Sequence, residues 1–99
     1  MQLKDFEFIS KGKTGILGKQ IVLDFGQYHL SVIDDGYGRD EGLYEIAIFN
    51  AKDGVGSDFV RLPGISNPDD DVLGNLSEAD VSAIIKKMYS ITGTKPTQI

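Results

Sequence analysis

The chain contains no cysteine, and its only histidine is His29. Without thiols there can be no disulfide, no thiolate metal site and no cysteine nucleophile, as in proteins of a reducing cytoplasm. Long apolar runs are missing too. The N-terminal "MQLKDFEF" places acidic residues where a secretory leader carries its apolar segment, and nowhere does an apolar run approach membrane-spanning length. Positive charge is also short: 15 acidic residues against 10 basic ones give a net charge of −5. That balance repels phosphate backbones at long range, and the lysines are scattered except around Lys11 to Lys19, so nucleic acid is not an expected partner. No internal repeat and no low-complexity segment interrupts the 99 residues. Together these absences describe a soluble cytoplasmic chain with no membrane contact.

What is present has the composition of one small globular domain, since either half would be too short to bury a useful core. A domain of this size has little room for a deep cleft, so any small-molecule site would be shallow or shared between subunits. Alternation of apolar and polar residues in "LKDFEFIS" predicts a half-buried strand with Phe6 and Phe8 on one side. "QIVLDFGQYHLSVID" predicts a hairpin turning at Gly26-Gln27, because glycine at the first central position suits a type II′ turn. In that register Phe25 faces Tyr28, Leu23 faces Leu30 and Ile21 faces Val32, putting all six on one face. "LYEIAIFNA" is apolar on both alternations and predicts a central strand, with a turn at Asp53-Gly54 and a short return strand "DFVRL" ended by Pro63. "PGISNPDDDVLGN" is expected to be irregular.

A helix follows with a clear start. Ser77 is its N-cap, Asp80 completes a capping box, and Leu76 with Val81 can form a hydrophobic staple. Val81, Ile84, Ile85, Met88 and Ile91 recur at helical spacing as the core-facing stripe, and Gly93 with Pro96 ends the helix. The order of elements predicts an α+β, mainly β fold: an antiparallel meander of about five strands with one C-terminal helix on its apolar face. Such a sheet can curl into a small open barrel of the SH3/Sm-like kind. Residues 1–93 form the single domain, and 94–99 are expected as a loose tail.

Several patterns invite chemistry. Gly12-Lys13-Thr14 spells the end of a phosphate-binding loop, but Glu7 stands where the first glycine belongs and the following residues are glycine-broken and β-like. A mobile basic turn is the expectation there. Asp24, His29 and Ser31 share the face away from the apolar ladder; a flat strand face offers neither oxyanion hole nor substrate wall, so a cross-strand Asp–His pair is expected instead of a catalytic triad. Counted from Asp69, Asp71 and Gly74 fit a calcium loop, while Leu73 occupies a ligand position and Asp80 replaces the terminal glutamate. Counted from Asp34, the spacing fails at Gly36. No catalytic, metal or cofactor site is therefore assigned. The loop "DDGYGRDEG" is the binding candidate: Tyr37 and Arg39, types favoured at binding hot spots, stand on a segment hinged by Gly36, Gly38 and Gly42. The competing expectation is that Tyr37 folds back onto the sheet and Arg39 pairs with Asp40 or Glu41.

"DDGYGRDEGLYEIAIFNA" and "DDDVLGNLSEADVSAIIKKM" resemble small proteins of T4-like tailed phages, marine cyanophages among them. The resemblance covers about the C-terminal two-thirds of the chain and includes no catalytic motif. It implies an accessory role in the cytoplasm of an infected bacterium and carries no activity with it. The Sm-like analogy rests on strand count, and the glycine and asparagine signatures of Sm proteins are missing, so RNA binding does not accompany it. The expected function is that of a non-enzymatic interaction protein with an unidentified protein partner, able to self-associate through a sheet edge. The alternative is a small-ligand or nucleotide binder whose site lies between subunits.

Overall fold

The computed structural model describes residues 1–10, 18–52, 59–66 and 72–99. Among these, six strands and one α-helix run in the order β1 (Ile9–Ser10), β2 (Lys19–Asp24), β3 (Tyr28–Ile33), β4 (Tyr44–Asn50), β5 (Val72–Leu76), α1 (Glu78–Thr92) and β6 (Thr97–Gln98). Two short 3-10 turns lie at Leu3–Asp5 and Arg39–Glu41.

The β2–β3 hairpin forms in the register expected from its alternation, with Ile21 opposite Val32 and Leu23 opposite Leu30. The turn works because Gly26 takes φ = 84°, a region that costs other residues a Cβ clash. Asp24 Oδ1 accepts from the Gly26 N–H at 2.7 Å, and the Phe25 N–H donates to Tyr28 O at 2.9 Å. Ile21, Leu23, Phe25, Leu30 and Val32 are wholly buried. β4 pairs with β3 along its length, so it is central as its two-sided apolarity predicts.

All pairings are antiparallel and the strand order is linear, β1-β2-β3-β4-β5, with β6 also on β2. The sheet is open. The barrel closure considered from strand count does not occur: β1 and β5 hold opposite edges. Each edge is shared by two short pieces. Beside β2, β1 pairs Ile9 with Gln20, while β6 pairs Leu23 with Gln98 and Asp24 with Thr97. Beside β4, β5 covers Tyr44 to Ala47, and a single bridge joins Phe49 to Phe59.

α1 lies on one face of the sheet and buries Val81, Ile84, Ile85 and Met88 against it. Each fully buried side chain of this kind stabilises the fold by roughly 1.5–3 kcal/mol. The cap forms as its residues predict: Ser77 Oγ accepts from the Asp80 N–H at 3.1 Å, and Asp80 Oδ2 accepts from the Ser77 N–H at 3.0 Å. Gly93 ends the helix at φ = 68°. Leu3 N–H donates to Ser82 Oγ at 2.9 Å, tying the N-terminus to the same helix.

Five local expectations are corrected. The strand expected through "LKDFEFIS" is a 3-10 turn followed by the two-residue β1, because Asp5 caps Gln2 at 2.7 Å and turns Leu3 into the core. Of the expected strand "DFVRL", the described part from Phe59 to Leu62 supplies one bridge instead of a strand; Leu62 and Ile65 then drop into the core through a turn. "VLGNL", assigned to an irregular run, is β5. Ile91 is 51% exposed, outside the buried stripe. The tail expected to be loose is held by β6, by the Ile99 N–H to Val22 O bond at 3.0 Å, and by reciprocal bonds between Gln98 and the backbone of Glu7. The Asp53-Gly54 turn lies outside the described residues.

Candidate interaction site

The segment Asp34–Gly42 joins β3 to β4 and is folded tightly onto the sheet. Gly38 enters the 3-10 turn at φ = 97° and Gly42 leaves it at φ = 71°, both left-handed. Gly38 O accepts from Glu41 N–H and Leu43 N–H, each at 3.0 Å. The base of the loop is fastened to β2: Asp34 Oδ1 accepts from Lys19 N–H at 2.7 Å and Asp35 Oδ2 from Gly18 N–H at 3.2 Å.

Its tip is fastened to β5 and β4. Between the pairs Ile46–Leu73 and Tyr44–Leu76, Gly74 and Asn75 stand against Glu45 alone, which is a bulge. Asn75 takes φ = 57° there, a conformation that asparagine tolerates better than most residues. The Asn75 N–H donates to Tyr37 O at 2.9 Å, and the Tyr37 N–H donates to Glu45 Oε2 at 3.2 Å. Gly74 has to be glycine: a Cβ at that position would stand 2.5 Å from Tyr37 Cβ.

The result is a backbone pinned on both sides beneath a side chain that points out. Tyr37 is 67% exposed. Arg39 is exposed too, its Nε 3.9 Å from Asp40 Oδ1 across solvent, a long ion pair worth little at such a surface. The Tyr37 backbone thus folds back onto the sheet while its ring stays in solvent, and Arg39 pairs loosely with Asp40. Tyr37, Arg39, Asp35, Asp40, Glu41 and Glu45 line a shallow recess of about 540 Å³. The signal that would have located the clamp is "GN" following "VL", a glycine breaking strand alternation.

The other patterns resolve differently. Asp24 and His29 sit opposite each other, Oδ1 to Nε2 at 3.7 Å, too far for a hydrogen bond. Ser31 is buried and its hydroxyl accepts from Gln20 Nε2 at 2.8 Å; among the described residues no hydrogen bond joins it to His29. Gly12, Lys13 and Thr14, and also Lys11, Asp69 and Asp71, lie outside the described residues. Among the described residues, no group of three or more His, Cys, Asp or Glu is placed to hold a metal ion. No described helix is long and apolar enough to cross a membrane.

In comparisons with known proteins, no family model matches the chain, and no curated protein or solved structure matches it.

Proposed function

We propose that this chain is a non-enzymatic interaction protein that holds a protein partner through the Asp34–Gly42 loop, with Tyr37 and Arg39 as the contact side chains. The observation that carries the proposal is an exposed tyrosine on a backbone clamped by β4 and β5. Ordering a loop on binding costs free energy, and here the folded state has already met that cost. Tyrosine supplies broad contact area with few rotors, and arginine supplies a planar donor fork. The net charge of −5 favours a protein over a nucleic acid as partner. The phage resemblance supports an accessory role in a host cytoplasm.

The test is the double variant Tyr37→Ala, Arg39→Ala. Exposed side chains of this kind change stability by less than ~0.5 kcal/mol, while a buried interface anchor costs ~2 kcal/mol or more of binding. The melting curve is expected to stay where it is while a partner captured from host lysate by the parent protein is released. A variant that unfolds early, or one that holds the same partner equally well, removes the loop as the contact site.

A further inference from the structure

Charge is unevenly sorted along α1. Residues 81–99 contain Lys86, Lys87 and Lys95 and no acidic residue, in a chain whose net charge is −5. Glu78 and Asp80 stand in the first turn of the helix. Between the second half of α1 and the turn that follows Leu62 lies a recess of about 320 Å³. Pro63, Ile65 and Ile91 give it apolar walls, and Lys86, Lys87 and Ser90 complete the lining. Its shape is held by hydrogen bonds. Leu62 O accepts from the Ile65 N–H at 3.1 Å and the Ser66 N–H at 2.9 Å, and Lys87 Nζ donates to Gly64 O at 3.1 Å, tying the turn to the helix. Ile91, on the outer wall, is 51% exposed. We propose that this recess is a docking site for an acidic segment of a partner protein. One aliphatic side chain of the segment enters between Pro63 and Ile91, and its carboxylates meet Lys86 and Lys87.

Charge complementarity selects this occupant. Among the described residues no carboxylate pairs with Lys86 or Lys87. Both lysines stand before the last turn of α1, so the negative end of the helix dipole does not cancel them. Burial of the aliphatic side chain supplies affinity, and the two ammonium groups select the sign of the segment around it. The length of the segment follows from the surface. Lys86 also lines a neighbouring recess with Lys4, Ala79 and Glu78, so a track runs along the helix from Ile91 and ends at an acidic residue. From Ala79 to Ile91 the helix rises roughly 18 Å, the reach of about six extended residues. A narrow acidic segment meets the lysines alone. A flat anionic membrane or a nucleic acid would also meet the net charge of −5, which repels both. The contact goes beyond the loop reading and does not rest on it. The Asp34–Gly42 loop leads into Tyr44, which pairs with Leu76 before α1 begins, whereas the recess flanks the second half of the helix.

The experiment titrates capped peptides of about six residues into the isotope-labelled full chain and follows its amide resonances. Each peptide is built of aspartate and glutamate with one leucine, and the leucine is moved through every position. Counterparts carry lysine in place of the acids, or serine in place of the leucine. At least one acidic leucine peptide is expected to shift Gly64, Ile65, Ser90 and Ile91 saturably, with its counterparts weaker by about tenfold or more. Raising salt from ~0.05 M to ~0.5 M should weaken the binding. Lys86→Glu with Lys87→Glu should weaken it by about tenfold or more. Lys19→Glu with Lys52→Glu, of equal net charge, should leave it unchanged. Ile91→Ser should also weaken it, and serves if the first double variant does not fold. The proposal is overturned if no peptide shifts these amides at millimolar concentration, or if the serine counterparts bind equally well. It is overturned too if the Lys19 and Lys52 changes cost as much as those at Lys86 and Lys87. Stronger shifts of the same amides by phosphatidylglycerol vesicles or an RNA oligonucleotide would assign the recess to lipid or nucleic acid and overturn it as well. Shifts confined to Asp34–Gly42 would overturn it while leaving the loop as a contact site.

Discussion

Leu23 and Val22 are neighbours in the chain, yet they belong to two different environments. Leu23 faces α1 with no exposed surface, in a layer that includes Leu30, Ile48, Ile85 and Met88. Val22 faces the other way, half-buried in a row with Ser31, Ala47 and Val72. The same contrast recurs in β4 between Ile46 and Ala47. The side-chain period of two gives each strand both faces at once. What separates them is burial: Leu23, Leu30 and Ile48 lie against the helix with at most 1% exposed, while Val22, Ala47 and Val72 keep part of their surface in solvent. The face under α1 holds most of the buried core, and the opposite face is partly closed, with Ser31 and Phe49 buried on it and the loop folded over its β4–β5 end.

The sharpest way to test that division is to truncate matching neighbours. Leu23→Ala and Ile46→Ala each remove buried volume and should cost ~2–5 kcal/mol in denaturant unfolding. Val22→Ala, one residue away, should cost under about 1 kcal/mol, within the span of strand preferences. Equal losses at Val22 and Leu23 would show that both faces are covered.

A smaller effect is expected where the second face meets the loop. Gly74→Ala places a methyl against Tyr37 Cβ, and the backbone of one must shift. Crowding of this kind costs ~1–3 kcal/mol. The change should also loosen the clamp, so hydrogen exchange at the Asn75 N–H should speed up beyond the change at Leu30, in the core strand. If the variant melts with the parent protein and Asn75 keeps its protection, Tyr37 is not held in the way described.

How far these features are legible from residues alone depends on where their partners lie. The β2–β3 register is legible because glycine at 26 and six apolar positions within one short segment agree. The cap at Ser77 is legible because its partner Asp80 is three residues on. β5 is hidden because Gly74 and Asn75 break the alternation that marks a strand. The tail is hidden because "TKPTQI" has no periodicity, and what holds it are backbone bonds to β2 and Gln98 reaching Glu7 at the other end of the chain. Tyr37 and Arg39 were legible as exposed loop residues. The support beneath Tyr37 was not, since it comes from a strand formed much later in the sequence.

The smallest expected effect concerns the helix that makes the covered face. Ser77→Ala removes the oxygen that caps the Asp80 N–H and should cost about 0.5–2 kcal/mol, because α1 is what shields Leu23 and Leu30 from water. Asp80 adds a pH dependence to that cap. The Ser77 backbone N–H, and then its hydroxyl, stabilise the Asp80 carboxylate and lower its pKa from the ordinary 3.8. The unfolded chain then takes up this proton at higher pH than the folded one. The contribution to stability is therefore complete above pH 3.8 and is lost as pH falls through the lower, folded value. Asp80→Asn has no such proton to bind. Thermal melts of the two proteins should differ most at neutral pH and converge below pH 3.8. Because Asp80 is exposed, raising the salt concentration should change this gap little if local hydrogen bonds cause it, and narrow it if the helix dipole does. A gap that stays constant from neutral pH down to the acid limit would show that Asp80 caps α1 without its charge, and would leave Ser77 alone as the group that starts the helix over the covered face.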